Sequence, residues 1–512
     1  MRLFGWIQKF LFSRFFMALV IMIMQVIWVA SFVFAVYNRL MYLQYGYALF
    51  YLMNLILTVY ILNRNNDPSY RMAWIVFINI LPAFGGLLYL LFANHKIPKN
   101  LGNELMYQLT LSRGVLKVNE QDIPEEEVAS HFRYLQKYAY YPYYRNTSLQ
   151  YFATGEECFA KMKEDLQQAK HFIFLEFFIV KDGRMYQEIR EILKQKVEEG
   201  VEVYFMYDDG GSITTTNFNA SKDLSSIGVH TAVFSPVSVL FLLLSKTNNR
   251  DHRKIVVIDN EVSYVGGLNL ADEYINEISR FGYWKDTAVR LEGEAARSLT
   301  AAFIQLYDAS SKEDISYEKY TSYPCKEISS TSLVQPFSDS PMDEEDVGHT
   351  VHLNLINAAR KSLYIETPYL IIDHSLQTAL INAVKRGVDV RIVIPHIPDK
   401  KTVFMVTRAN TVPLIRSGVR VYEYTPGFIH SKMILVDGIL ALNGTINMDF
   451  RSYYLHYECG VLSAYDPEIT RMAADFEETV KESEEITVEK IEDTPFAVIA
   501  ARAFFSVFAP LL

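Results

Sequence analysis

Hydrophobic positions crowd into the first hundred residues and then change rhythm. Phe15 to Tyr37 (FFMALVIMIMQVIWVASFVFAVY), Leu40 to Asn63 and Met72 to Asn94 carry no Asp, Glu, Lys or Arg. Each exceeds the roughly 20 residues that cross a hydrocarbon core of about 30 Å as a helix. Residues 1–100 are therefore predicted to be an α-helical transmembrane region of two or three spans. The first run is too long for the apolar part of a secretory signal and leads straight into another apolar run. The third contains Pro82, Gly85 and Gly86 (LPAFGGLLYLLF), the pattern of a broken or re-entrant helix. Arg2, Lys9 and Arg14 hold the N-terminus in the cytosol, and Arg39, Arg64 and Arg71 are the only cations in the short loops. Two spans return the remainder to the cytosol, the side favoured here; three place it outside.

Beyond residue 100 the pattern alternates between strand-like and helix-like. HFIFLEFFIV (171–180) precedes a helical period at Met185, Ile189, Ile192, Leu193 and Val197, which stops at Gly200 before VEVYFMY (201–207). The same order returns with SLYIETPYLII (362–372), Leu376, Leu380, Ala383 and Val384, then Gly387 and VDVRIVI (388–394). Strand, helix, strand implies parallel strands with a crossover helix. The unit that repeats is a whole α/β domain, with Glu176 matching Glu366. Duplicated domains over 101–325 and 326–512 are predicted, packed with pseudo-two-fold symmetry. The polar stretch 310–346, rich in turn formers and carboxylates, reads as their connection.

Composition narrows the function. Half of the residues are apolar and the net charge is −10, with no dense Lys/Arg tract. That balance excludes nucleic acid as a partner, which would need a basic groove. Cys158, Cys325 and Cys459 are widely spaced and form neither a disulfide framework nor a zinc motif.

The chemistry sits in a repeated octapeptide, HRKIVVID at 252–259 and HSKMILVD at 430–437. After each aspartate, six residues lead to a glycine and an asparagine: Gly266, Gly267 and Asn269 (GGLN), and Gly444, Thr445 and Asn447 (GTIN). The candidate catalytic set is His252, Lys254, Asp259, His430, Lys432 and Asp437. In a strand His252 and Lys254 share a face, as do His430 and Lys432. Imidazole, ammonium and amide on one surface make a phosphate receptor. Lys254, Asn269, Lys432 and Asn447 are the candidate phosphate ligands. One neutral histidine attacks phosphorus while the other, protonated, donates to the leaving oxygen and then acts as base on the incoming hydroxyl. This scheme calls for no metal or other cofactor. Asp259 and Asp437 end buried strands and are expected to make structural bonds without touching phosphate. Asp286 (YWKDTAVRL) and Glu458 (HYECGVL) follow their own half's histidine at comparable intervals. They either orient the imidazoles or form surface ion pairs.

The paired HxKxxxxD motifs with GGLN and GTIN resemble the phospholipase D superfamily, and within it bacterial cardiolipin synthases. NNRDHRKIVVIDNEVSYVGGLNLADEY, WKDT, YEYTPGFIHSKMILVDG, GTINMDFRSYYLHYE and the terminal APLL carry the resemblance over nearly the whole chain. It implies two phospholipase D-type α/β domains, a bacterial cell-membrane location, and phosphatidylglycerol and the bilayer as partners, with self-association left open. It implies transfer of a phosphatidyl group from one phosphatidylglycerol to another through a phosphohistidine, with His252 as nucleophile and His430 as acid and base. The alternative is a lipid hydrolase that releases phosphatidic acid. Three features depart from the pattern: a third apolar segment, Asn260 where glycine is common, and His456 where asparagine is common. The last two read as peripheral, with His456 a surface or supporting residue. VSVLFLLLSKT (237–247) and the C-terminal FAVIAARAFFSVFAPLL are each either a bilayer contact or a buried helix.

Overall fold

The structure, a computed structural model, describes residues 27, 30–34, 36–38, 41–64, 67–82, 84–93, 99–117, 123, 125–212, 218–236, 249–311, 313–326, 328–342 and 345–511. The chain divides into two compact units, residues 1–95 with 243–245 and 507–512, and residues 96–242 with 246–506. The expected span 15–37 lies largely outside the described residues, as does the apolar insertion 237–247.

In the N-terminal unit, α1 runs Met41–Leu62. Its window Tyr45–Leu62 is the one stretch among the described residues long and apolar enough to cross a membrane, and only 17% of it is buried within the protein. The third apolar segment is broken. It forms α2 (Pro68–Ile80), capped by the Asp67 carboxylate on Ser69 N–H and Tyr70 N–H, and α3 (Gly85–Phe92). At 13 and 8 residues, neither reaches the length of a span. Two residues make this break tolerable. A Cβ at Gly85 would stand 2.6 Å from the Ile78 Cα, so only glycine lets α3 start against α2. The Asn54 amide of α1, 3% exposed, donates to the carbonyls of Ile78 (3.3 Å) and Pro82 (3.0 Å), which the broken helix leaves without intrahelical donors. Asn54→Leu is expected to cost about 1–2 kcal/mol, the range of interhelical bonds in apolar surroundings. The measurement is thermal inactivation of the chain in detergent, and an unchanged midpoint refutes the bracing role.

The second unit is α/β, as expected, with mixed sheets. Its strands are β1 (Thr147–Phe152), β2 (Phe172–Phe177), β3 (Glu202–Asp208), β4 (His230–Phe234), β5 (Arg250–Asp251), β6 (Ile255–Ile258), β7 (Val262–Gly266), β8 (Tyr283–Lys285), β9 (Ala288–Gly293), β10 (Leu333–Asp339), β11 (Ser362–Glu366), β12 (Asp389–Pro395), β13 (Arg420–Tyr424), β14 (Gly427–Ile429), β15 (Met433–Val436), β16 (Leu440–Gly444), β17 (His456–Ala464) and β18 (Ser483–Glu485). One sheet has the order β1-β9-β7-β6-β2-β3-β4 and the other β10-β17-β16-β15-β11-β12-β13-β18. Strand for strand the orders match, with β18 added at one edge. The registers match as well: Glu176 faces Ile255 and Glu366 faces Met433, in antiparallel pairs. β2 and β3 are parallel, as are β11 and β12, joined through helices Arg184–Glu198 and His374–Lys385. All six residues of β2 are buried, as in a strand covered on both faces, and Glu176 is the one charged residue among them.

Two expectations need correction. The stretch 310–346 is more than a connection, because it contains helix Tyr317–Thr321 and the whole of β10, six of whose seven residues are buried. Polar neighbours on both sides hide that strand in the sequence. Asn260 is not peripheral either. It follows Asp259 in the β6–β7 turn, and both have left-handed backbones (φ +57° and +54°), a conformation glycine and asparagine tolerate best. Its buried amide donates to the carbonyls of Thr321 and Tyr323, tying the turn to that short helix.

Candidate active site

His252 and Lys254 precede β6, in an extended segment after β5, and His430 and Lys432 hold the same place between β14 and β15. Each segment is fixed by the other half of the unit. β5 pairs in parallel with the start of β17, and the His252 N–H donates to the Tyr457 carbonyl at 2.9 Å. β14 pairs in parallel with β8, and the His430 N–H donates to the Lys285 carbonyl at 2.7 Å. Tyr457 and Lys285 immediately precede Glu458 and Asp286, so these backbone bonds carry each carboxylate to the opposite imidazole. His252 Nδ1 lies 3.0 Å from Glu458, and His430 Nδ1 lies 2.6 Å from Asp286 Oδ2. The pairing is crossed, whereas spacing had associated each carboxylate with its own half's histidine. Both carboxylates are fully buried, which rules out the surface ion pair.

The crossing has further ties. Arg253, 1% exposed, binds Glu176 at 2.7 Å and donates to the Ser338 hydroxyl at 3.1 Å; that hydroxyl donates to the Glu458 carbonyl at 3.0 Å. In the equivalent position of the second motif, the Ser431 hydroxyl meets the Thr287 hydroxyl at 2.8 Å. The difference between GGLN and GTIN also acquires a reason. Thr445 donates its hydroxyl to Glu458 Oε2 at 2.5 Å. Gly267 stands in the corresponding place, and a Cβ there would come within 1.9 Å of Asp286 Oδ1. The shorter carboxylate occupies the space that a side chain would fill. Gly267→Ala is therefore expected to displace Asp286 from His430 and lower kcat by about 10²-fold, the order of loss for a misplacement near 1 Å. A steady-state rate near that of the parent would contradict it.

Electrostatics mark one shared cluster. Burial, reinforced by Lys254, Lys432, His430 and Lys400, holds His252 well below the ordinary imidazole range. Burial together with Lys432, Lys254 and Lys400 does the same to His430. Burial lowers Lys254 to about 8 and Lys432 to about 7, although Glu458 and Asp286 pull both lysines upward. Burial pushes Asp286 up to about 7 against the pull of Lys432. Each motif lysine also donates to the carbonyl of its own histidine, which fixes the ammonium beside the ring.

The asparagines are not equivalent. Asn269 accepts from Ile179 N–H at 2.9 Å and donates to the Tyr274 hydroxyl at 2.6 Å, while the Asn447 Oδ1 is buried with no partner among the described residues. Asp259 and Asp437 stand apart from the imidazoles. Asp259 accepts from the N–H groups of Lys170, His171 and Phe172, and Asp437 from those of Arg360, Lys361 and Ser362, capping the entries to β2 and β11. These are the structural bonds expected of both aspartates. His456, expected at the periphery, adjoins the site with its ring 5.6 Å from that of His252.

A family model described as cardiolipin synthase, phospholipase D-like domain, matches residues 352–480, and one described as phospholipase D/nuclease N-terminal matches residues 52–94. An uncharacterised protein of Streptococcus mutans is 40% identical over 89% of this chain and 99% of its own. The cardiolipin synthases of Halalkalibacterium halodurans and Geobacillus kaustophilus are each 34% identical over 88% of this chain and 90% of theirs. The crystal structure of phosphatidylserine synthase from Haemophilus influenzae superposes with a TM-score of 0.57 at 16% identity, covering 75% of this chain and all of that one, a likeness of fold. With relatives of this identity and coverage, the chain belongs to the cardiolipin synthase family of the phospholipase D superfamily.

Proposed function

We propose that the chain transfers a phosphatidyl group from one phosphatidylglycerol to a hydroxyl of a second, giving cardiolipin and glycerol. The observation that carries this reading is the crossed pairing of His252 with Glu458 and of His430 with Asp286. Each carboxylate accepts the Nδ1 proton of its imidazole, which leaves a lone pair on Nε2 of neutral His252 and directs the second proton of protonated His430 to its Nε2, where the leaving oxygen can take it. Nε2 of His252 attacks phosphorus as the bond to the leaving glycerol oxygen breaks, and His430 supplies that oxygen with a proton. His430 then removes a proton from the incoming hydroxyl, whose oxygen displaces His252. Lys254 and Lys432, with Asn447, neutralise the non-bridging oxygens where charge develops. The matched strand orders support a duplicated domain with pseudo-two-fold symmetry, whose halves each contribute one histidine.

The same proposal places the protein in the bacterial cell membrane. Residues 45–62 are the one candidate span among the described residues, and with two spans in all, as the apolar runs of the sequence suggest, the catalytic unit faces the cytoplasm. Purified protein in phosphatidylglycerol vesicles is expected to release glycerol and form a lipid with two phosphates. Phosphatidic acid as the main product would overturn transfer in favour of hydrolysis.

The depressed lysines give a pH dependence of definite sign. A cation whose pKa is lowered loses its charge at a lower pH than usual, so Lys432 and then Lys254 discharge as pH rises through about 7 and 8. His252, held well below 6.5, stays a neutral nucleophile on the acid side, and His430, lowered likewise, donates from a protonated form that rising pH depletes. Between about pH 5 and 9, kcat/KM for glycerol release is expected to fall with rising pH, most steeply above about pH 7, where Lys432 begins to discharge. A profile still climbing at pH 9 is the contrary outcome.

A further inference from the structure

The exchange chemistry leaves one buried group beside His252 unused. His456 opens β17 two residues before Glu458, so the two side chains leave the same face of the strand. Its side chain is 10% exposed. Its Nδ1 stands 3.8 Å from Glu458 Oε1, too far for a hydrogen bond, and neither ring nitrogen has a hydrogen-bond partner among the described residues. An unpaired buried polar group costs about 1–3 kcal/mol, so such a group needs a reason. The ligating atoms of His252, His456 and Glu458 all lie within 4.8 Å of one another. Two imidazole nitrogens and one carboxylate oxygen match the donors that zinc takes at about 2.0–2.2 Å, with a fourth position left open. Magnesium and calcium prefer shells of oxygen, and the softest ions prefer thiolates, so the donor set selects a borderline divalent ion.

We propose that His252, His456 and Glu458 form an inhibitory site for a divalent transition-metal ion of the zinc type. The inhibition follows from the tautomer. Metal on Nε2 of His252 occupies the attacking lone pair; metal on Nδ1 moves the ring proton to Nε2 and removes that pair. Either contact stops attack on phosphorus. Glu458 supplies the one negative charge, while the ammonium groups of Lys254 and Lys432 oppose the cation and favour the anionic lipid. Metal and phospholipid therefore compete for one imidazole, and a chelator restores turnover.

Only the inhibition part of this proposal rests on the phosphatidyl-exchange reading; metal binding is tested separately. Full-length protein without a histidine tag is stripped with EDTA and titrated with Co²⁺, then with Zn²⁺. The parent is expected to develop the visible absorption of low-coordinate cobalt at one equivalent and to lose it to zinc. H456N is expected to lose the band, and its glycerol release, referenced to its own activity in EDTA, to need at least about tenfold more zinc for half-inhibition. The eleven histidines of the chain include other weak ligands, which the difference between parent and variant removes. An unchanged band in H456N, or no band in the parent, overturns the site. Cobalt binding without zinc inhibition overturns the inhibitory role alone. If H456N lacks activity, the cobalt band decides, with the melting curve and H456Q as checks of folding.

Discussion

His252→Ala is expected to lower glycerol release by about 10⁴-fold or more, the scale on which removal of a covalent nucleophile acts. The ring does more than any substitute can do there. It is held by the Tyr457 carbonyl through its backbone and by Glu458 through Nδ1, with burial and Lys254 keeping it neutral. A better leaving group does not help this variant, because no N–P bond forms. A phosphatidyl p-nitrophenol substrate should show neither a burst nor turnover. Turnover within about tenfold of the parent would place the covalent step elsewhere.

His430→Ala should lose as much with phosphatidylglycerol but differ with the activated substrate. p-Nitrophenolate leaves without a proton, so attack by His252 proceeds, and the missing base then stalls the second step. The expected record is a burst of about one nitrophenolate per chain followed by a plateau, the signature of an accumulated covalent intermediate. Absence of a burst while slow turnover continues would show that His430 is not the base of the second step. The second variant also tests the crossing. Asp286→Asn added to His430→Ala should cost little more, because the two groups act as one unit.

Much of this was legible in the sequence. Octapeptides with glycine and asparagine at equal offsets located the histidines and lysines, since side chains on a repeated segment keep its spacing. The order strand, helix, Gly200 or Gly387, strand announced the parallel pairs. Proximity between elements distant in sequence was not legible. Asp286 and Glu458 were identified, but spacing within a half cannot reveal that β8 pairs with β14 and β5 with β17, which carries each carboxylate across. The difference between Gly267 and Thr445 lay in plain view, yet its meaning depends on where Asp286 Oδ1 sits. Strand β10 was absorbed into a polar stretch because its flanking residues look like a linker. His456 read as peripheral because a single histidine without a repeated partner carries no periodic signal; only burial and its distance from His252 give it weight.

The measurement that tests the central claim most directly is a crystal structure of the chain with orthovanadate, which adopts the trigonal-bipyramidal geometry of phosphoryl transfer. One vanadium between Nε2 of His252 and Nε2 of His430, with Lys254 and Lys432 on its equatorial oxygens, is the predicted result. Vanadate on one imidazole while the other opens into a separate cavity would contradict it.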